Sequence, residues 1–262
     1  MSKHGALNTF GRSGNPAIRS DIFSSKASSS EDRMTLNGAV NKTGILLFLT
    51  VLAATISWNF QGPIMLLVSV MGMFTAFISG IATFGFWFFF VGWLVKPRPY
   101  LAPKTAPIYA LGMGFLIGLI SEQMENIYQG IVIQAVSLTF FVAASLLLAY
   151  KTGLIKPTQN FWLIVFSATV GIFLTYIVNI FYSMFTGSSF SFLTDNGMFG
   201  IGISLFVVAI AALNLVLDFD IIEQADEQGA PKYVEWFGAM ALVATLIWLY
   251  IEILRLISKL RR

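Results

Sequence analysis

The stretch Ile64–Val95, IMLLVSVMGMFTAFISGIATFGFWFFFVGWLV, runs for 32 residues without one charged side chain. As an α-helix it would measure about 48 Å, more than the roughly 30 Å hydrocarbon core of a bilayer. In lipid every backbone N–H and C=O must be bonded within the segment, which a helix achieves alone. The apolar residues follow one another continuously rather than at every second position, so the run reads as helix and not as barrel strand. The span proper is placed at 72–95, with 64–71 as an outer cap or a strong tilt. A division into two spans would leave no polar turn between them.

The rest of the chain repeats the pattern. Of 262 residues, 56% are hydrophobic and 11% charged, against about 25% charged in an ordinary soluble domain. Mean hydropathy is +0.77. A soluble globular domain and a disordered chain are both excluded. Six further runs approach the roughly 20 residues that a span requires: 44–60, 105–121, 130–150, 161–185, 198–218 and 234–256. Proline and glycine mark the joints, as in Lys96-Pro-Arg98-Pro and Gly229-Ala-Pro231. The predicted fold is all-α, a polytopic membrane protein of seven transmembrane helices. Residues 1–43 form a polar tail and 258–262 a basic C-terminal tail. Within the first tail, Met34–Lys42 reads as an interfacial helix leading into the membrane.

Lysine and arginine orient the spans. The tail carries Lys3, Arg12, Arg19, Lys26, Arg33 and Lys42. The joint at 96–104 carries Lys96, Arg98 and Lys104, that at 151–160 carries Lys151 and Lys156, and that at 219–233 carries Lys232. The alternate joints 61–63, 122–129 and 186–197 carry none. The N-terminus is therefore expected in the cytoplasm, in a bacterial inner membrane. Arg255, Lys259, Arg261 and Arg262 strain this rule. Either the earlier joints decide the topology, or the last segment is a re-entrant hairpin.

Several chemistries are excluded. No cysteine is present, and the only histidine, His4, lies in the tail. That removes thiol nucleophiles, iron–sulfur clusters, cysteine zinc sites and a serine–histidine–aspartate triad. Walker A, nucleophile-elbow, H-E-x-x-H and EF-hand patterns are absent. The protein is not expected to be an enzyme or to carry a cofactor, and no metal site is assigned. The pI near 9.1 does not indicate nucleic acid, because the tail lacks the interleaved aromatics of a stacking platform.

Ionisable groups at the membrane edge are the functional candidates, because a charge stranded in lipid is costly. Glu122 and Glu125 share a face at the end of the third span. Asn214 and Asp218 share a face at the end of the sixth, with Asp220 rotated by about 200° from Asp218. Glu235 opens the seventh span. Glu252 and Arg255, three apart, are read as a self-neutralising ion pair. Asp218 and Glu235 fall at the same, cytoplasmic level, where two adjacent carboxylates titrate as a coupled unit and would form a proton-sensitive latch. Gln134 and Asn179 read as interhelical hydrogen-bond partners. Gly114-x-x-x-Gly118 and Ala76-x-x-x-Gly80 read as close-packing pairs.

The stretches Asn41-Lys-Thr-Gly-Ile-Leu46, Ala106-Pro-Ile-Tyr-Ala-Leu111, Tyr150-Lys-Thr-Gly-Leu-Ile155, Ala212-Leu-Asn-Leu-Val-Leu-Asp-Phe-Asp-Ile-Ile-Glu-Gln224 and Trp248-Leu-Tyr-Ile-Glu-Ile-Leu-Arg-Leu-Ile257 together resemble the Bax inhibitor-1/YccA-like family in its longer bacterial branch. The resemblance covers about residues 35–260. It implies seven helices with the last one central, and a pH-sensitive calcium leak gated by one aspartate in the sixth helix and one in the seventh. Asp218 matches the first of these aspartates. The second has no match, since Val243–Thr245 is apolar or hydroxylic, and Glu235 is taken as its substitute. The resemblance also implies a sister role, modulation of a membrane-bound ATP-dependent protease through the N-terminal tail. The expected function is thus a leak channel or transporter for Ca²⁺ or H⁺, or else a non-conducting partner of such a protease or of a stress pathway.

Overall fold

The computed structural model describes residues 33–60, 62–84 and 98–262. Eight α-helices are present among them: α1 (Leu36–Asn59), α2 (Pro63–Phe84), α3 (Ala102–Ile127), α4 (Ile131–Lys151), α5 (Gln159–Thr186), the one-turn α6 (Ser191–Thr194), α7 (Met198–Glu227) and α8 (Tyr233–Leu260). A short 3₁₀ turn, Pro99–Leu101, leads into α3. All but α6 are long and apolar enough to cross a bilayer. The protein is an all-helical, multi-pass membrane protein. The most apolar stretch of α8 is 67% buried and that of α7 50%, against 17–39% in the other five. The last helix is thus the most enclosed, as the sequence reading expects of a central one.

Several bounds differ from the sequence reading, each for a local reason. The first helix starts at Leu36, eight residues before the expected 44, because Thr35 caps it: its Oγ1 accepts from Gly38 N at 3.0 Å. The last part of the polar tail is therefore already helix, and residues 1–32 lie outside the described residues. Pro63 starts α2, a position where its missing N–H is of no consequence. It follows Gly62, whose φ of +126° suits only glycine. Residues 64–71, read as a cap or tilt, belong to this helix. The remainder of the expected 72–95 span, from residue 85 on, lies outside the described residues. Helix α7 continues nine residues past 218, to Glu227. It is about 45 Å long, so it exceeds the hydrocarbon core. Helix α8 is one unbroken helix of 28 residues, so the chain does not form the re-entrant hairpin held open above.

Two compact units divide the chain. One comprises the chain up to Gln123 together with Asp218–Ala244, the other Met124–Leu217 with Thr245–Arg262. In the first, α1, α2 and α3 pack backbone to backbone through glycine. A Cβ at Gly114 would stand 2.7 Å from the Ala53 Cβ, one at Gly118 2.8 Å from the Ala54 Cα, and one at Gly112 3.1 Å from the Ala76 Cβ. Membrane helices lack a hydrophobic drive toward one another, so close contact of small residues supplies the association. Buried hydroxyls join the same helices: Ser57 lies 3.3 Å from Ser69, which donates to the Phe115 carbonyl at 3.2 Å, and Thr83 lies 2.6 Å from Thr105. In the second unit Ile172, Val207 and Ile210 form a buried cluster of α5 and α7, with Tyr176 and Trp248 packed against it.

Candidate functional site

The described acids do not gather into one cluster; no group of three or more metal-ligating side chains occurs among the described residues. They fall into distinct settings instead.

The most elaborate surrounds Glu235, in the first turn of α8 and 2% exposed. Its Oε1 accepts from the Thr35 backbone N–H at 2.9 Å and from the Thr35 hydroxyl at 3.2 Å. Its Oε2 accepts from the Lys42 ammonium in an ion pair. Lys42 lies on α1 two turns after Thr35, with its ammonium 5.7 Å from the centroid of the Trp236 ring, within cation–π range. Gly38 lies between them, where a Cβ would collide with the carboxylate. Just upstream, Arg33 forms an isolated antiparallel bridge with Pro231, and Met34 N donates to the Ala230 carbonyl at 2.8 Å. One buried carboxylate thus ties the start of α1 to the start of α8. Both of its oxygens are engaged by the arm Arg33–Lys42.

The end of α7 carries the other candidates. Asp218 is half-buried, with its Oδ2 buried. Asp220 is 9% exposed and accepts from Gln224 Nε2 at 2.7 Å, one helical turn on. Asn214, in the second unit, donates to Thr169 Oγ1 on α5 at 2.8 Å and to the Ile210 carbonyl. Its amide nitrogen thus ties α7 to α5.

In the second unit Glu252 is 1% exposed. Arg255 Nη1 donates to it at 2.9 and 3.0 Å and to the Tyr176 hydroxyl at 2.6 Å, and that hydroxyl donates to Glu252 Oε1 at 3.0 Å. A buried charge needs such full partnering. Tyr176→Phe removes one charge-assisted donor and acceptor together. It is expected to lower stability by about 1.5–3 kcal/mol, read as a lower unfolding midpoint in detergent; a midpoint equal to wild type would show the hydroxyl to be idle. The other C-terminal cations are also engaged. Lys259 donates to the Gly200 carbonyl at 3.0 Å, Arg261 to the Gln129 carbonyl and to Gln134 at 2.8 Å each, and Arg262 to the Tyr128 hydroxyl at 2.9 Å.

Glu125 accepts from Gly130 N at 2.5 Å and from Val132 N at 3.0 Å, closing the turn before α4 and satisfying amides at that helix start. Glu122 is half-buried, one turn earlier on α3. Asn179 accepts from Phe190 N at 2.8 Å. Thr35, Lys42 and Tyr176 are residues of these settings that the sequence reading did not single out. A threonine followed by an apolar helix was a visible capping signal, but nothing local points Lys42 at Glu235.

Seven spanning helices with buried carboxylates near their ends define a polytopic helical membrane protein with internal ionisable sites. The profile of the Bax inhibitor 1 like family matches residues 15–262. The chain belongs to that family. No curated protein and no solved structure matches it.

Proposed function

We propose that the protein is a pH-sensitive leak for a cation, Ca²⁺ or H⁺, in a bacterial inner membrane, with its N-terminus in the cytoplasm and Asp218 on the ion's route. The observation that supports this most is the half-buried Asp218 near the end of an apolar spanning helix, with its Oδ2 held away from solvent. Met198 to Asp218 is 20 residues, about 30 Å of helix, which puts this carboxylate near one edge of the hydrocarbon. Partly buried carboxylates on spanning helices are costly even at the membrane edge, and they mark candidate ion or proton routes. Hard cations favour carboxylate oxygen, and a sparse set of ligands lets an ion leave again. The lysine and arginine pattern of the joints supports the orientation. The protein acts without a catalytic residue or cofactor.

The test is flux into liposomes containing a calcium- or proton-sensitive dye, with buffers from mildly acidic to mildly alkaline. Wild type is expected to conduct with a pH-dependent rate, and Asp218→Asn to lose the flux. Equal flux in the two proteins overturns the assignment. A second reading, a non-conducting modulator of a membrane-bound ATP-dependent protease or of a stress pathway, draws on the N-terminal tail, whose last residues are fastened to the protein at Glu235. It predicts no flux, and co-purification of a protease that depends on the tail.

A further inference from the structure

We infer that the arm Arg33–Lys42 is a releasable strap across the α7–α8 connection, and that its release from Glu235 opens the mouth of the pathway on that side. The inference rests on the conduction proposed above.

Every attachment of the arm noted here falls between Ala230 and Trp236: the bridge from Arg33 to Pro231, the Met34 amide on the Ala230 carbonyl, and Thr35 and Lys42 on Glu235. Three of these donors share one carboxylate, so a single event, the departure of Glu235, undoes them together. The segment bound is the short link between the helix that carries Asp218 and Asp220 and the start of α8. The start of α8 cannot swing away from α1 while the strap is fastened.

The strap is also balanced for release. The attraction within a buried ion pair is largely offset by the desolvation of its two charges. At the rim of a membrane, water returns that hydration when the pair opens. Opening therefore costs less than the direct attraction of the two charges, so a bound ion or a pull on the tail has less to overcome in shifting the population. A hydrophobic seam in the same place would have no comparable compensation on opening.

The chain has no cysteine, so Arg33→Cys with Pro231→Cys introduces a single thiol pair. Antiparallel bridge positions bring Cα atoms to about 4.5–5.5 Å, inside the range a disulfide spans. The full-length double variant is reconstituted into dye-loaded liposomes, oxidised, and then reduced. Oxidation is expected to abolish flux and reduction to restore it, with the flux of each single variant the same under oxidising and reducing conditions. Full flux through protein whose intramolecular cross-link is verified by loss of both free thiols overturns the inference. If wild type itself does not conduct, the conduction reading fails, and hydrogen exchange decides the strap alone. Lys42→Met is expected to accelerate exchange at the Met34, Thr35, Val234 and Glu235 amides while leaving α4 unchanged. Unaltered exchange at those four amides overturns the strap.

Discussion

Glu235→Ala is expected to be among the most damaging single substitutions of a polar residue, destabilising the protein by about 3–5 kcal/mol, the range for removing one partner of a buried ion pair. It strands the Lys42 ammonium, 18% exposed, and the Thr35 amide. The measurement is the unfolding midpoint in detergent, followed by tryptophan fluorescence, for which Trp236 beside Lys42 is a local reporter. Lys42→Met alone leaves Glu235 buried with only the Thr35 donors, so it is costly as well. The double variant, Lys42→Met with Glu235→Gln, retains a neutral acceptor for Thr35 and strands no charge. It is expected to be more stable than Glu235→Ala, and with Glu235→Gln and Lys42→Met as the two single variants it closes a double-mutant cycle that reads the coupling directly. A double variant whose effect equals the sum of those two single effects would mean that the ion pair carries no energy of its own.

Gly114→Leu combined with Gly118→Leu is expected to prevent accumulation of the folded protein. The obstacles are the Thr50 and Ala54 backbones of α1 as well as the Ala53 methyl, and a backbone has no rotamer to move into. Overpacking in a core costs typically about 1–3 kcal/mol where side chains give way, and here α1 and α3 must separate. Gly44→Leu is the control: it also lies in α1, but its Cβ would meet nothing within 4 Å among the described residues. Monodisperse gel filtration of the double variant at wild-type yield would refute the backbone-contact account.

The number of spans and their helical nature were legible because both follow from continuous apolar runs, which need no knowledge of neighbours. The Gly114/Gly118 contact was legible as spacing, although the identical pattern Ala76-x-x-x-Gly80 misleads in part: Ala76 is fully buried, but a Cβ at Gly80 meets nothing within 4 Å among the described residues. Helix ends were less legible. The segment Met34–Lys42 reads as a helix leading into the membrane, and it is helical from Leu36, but as the first turns of α1 rather than as a separate element. The residues after 218 remain helical although charged, since helix propensity does not distinguish lipid from water. Glu235 was legible as a membrane-edge acid. Its partner was not, because Lys42 lies 193 positions away, and a single sequence gives no sign of such a pairing. The reading joined Glu235 to Asp218 by level alone. Level along a helix does not specify azimuth, so it carried no information about α1.

Helix α8 bears an acid–base couple near each end, Glu235 with Lys42 and Glu252 with Arg255. The two acids are 17 residues apart, about 25 Å along a single rod. Within its own unit each acid ties α8 to a neighbour, Glu235 to α1 and Glu252 to the tyrosine of α5. An axial shift of either end of α8 past that neighbour would therefore strand a buried carboxylate, the costliest kind of loss for an apolar helix.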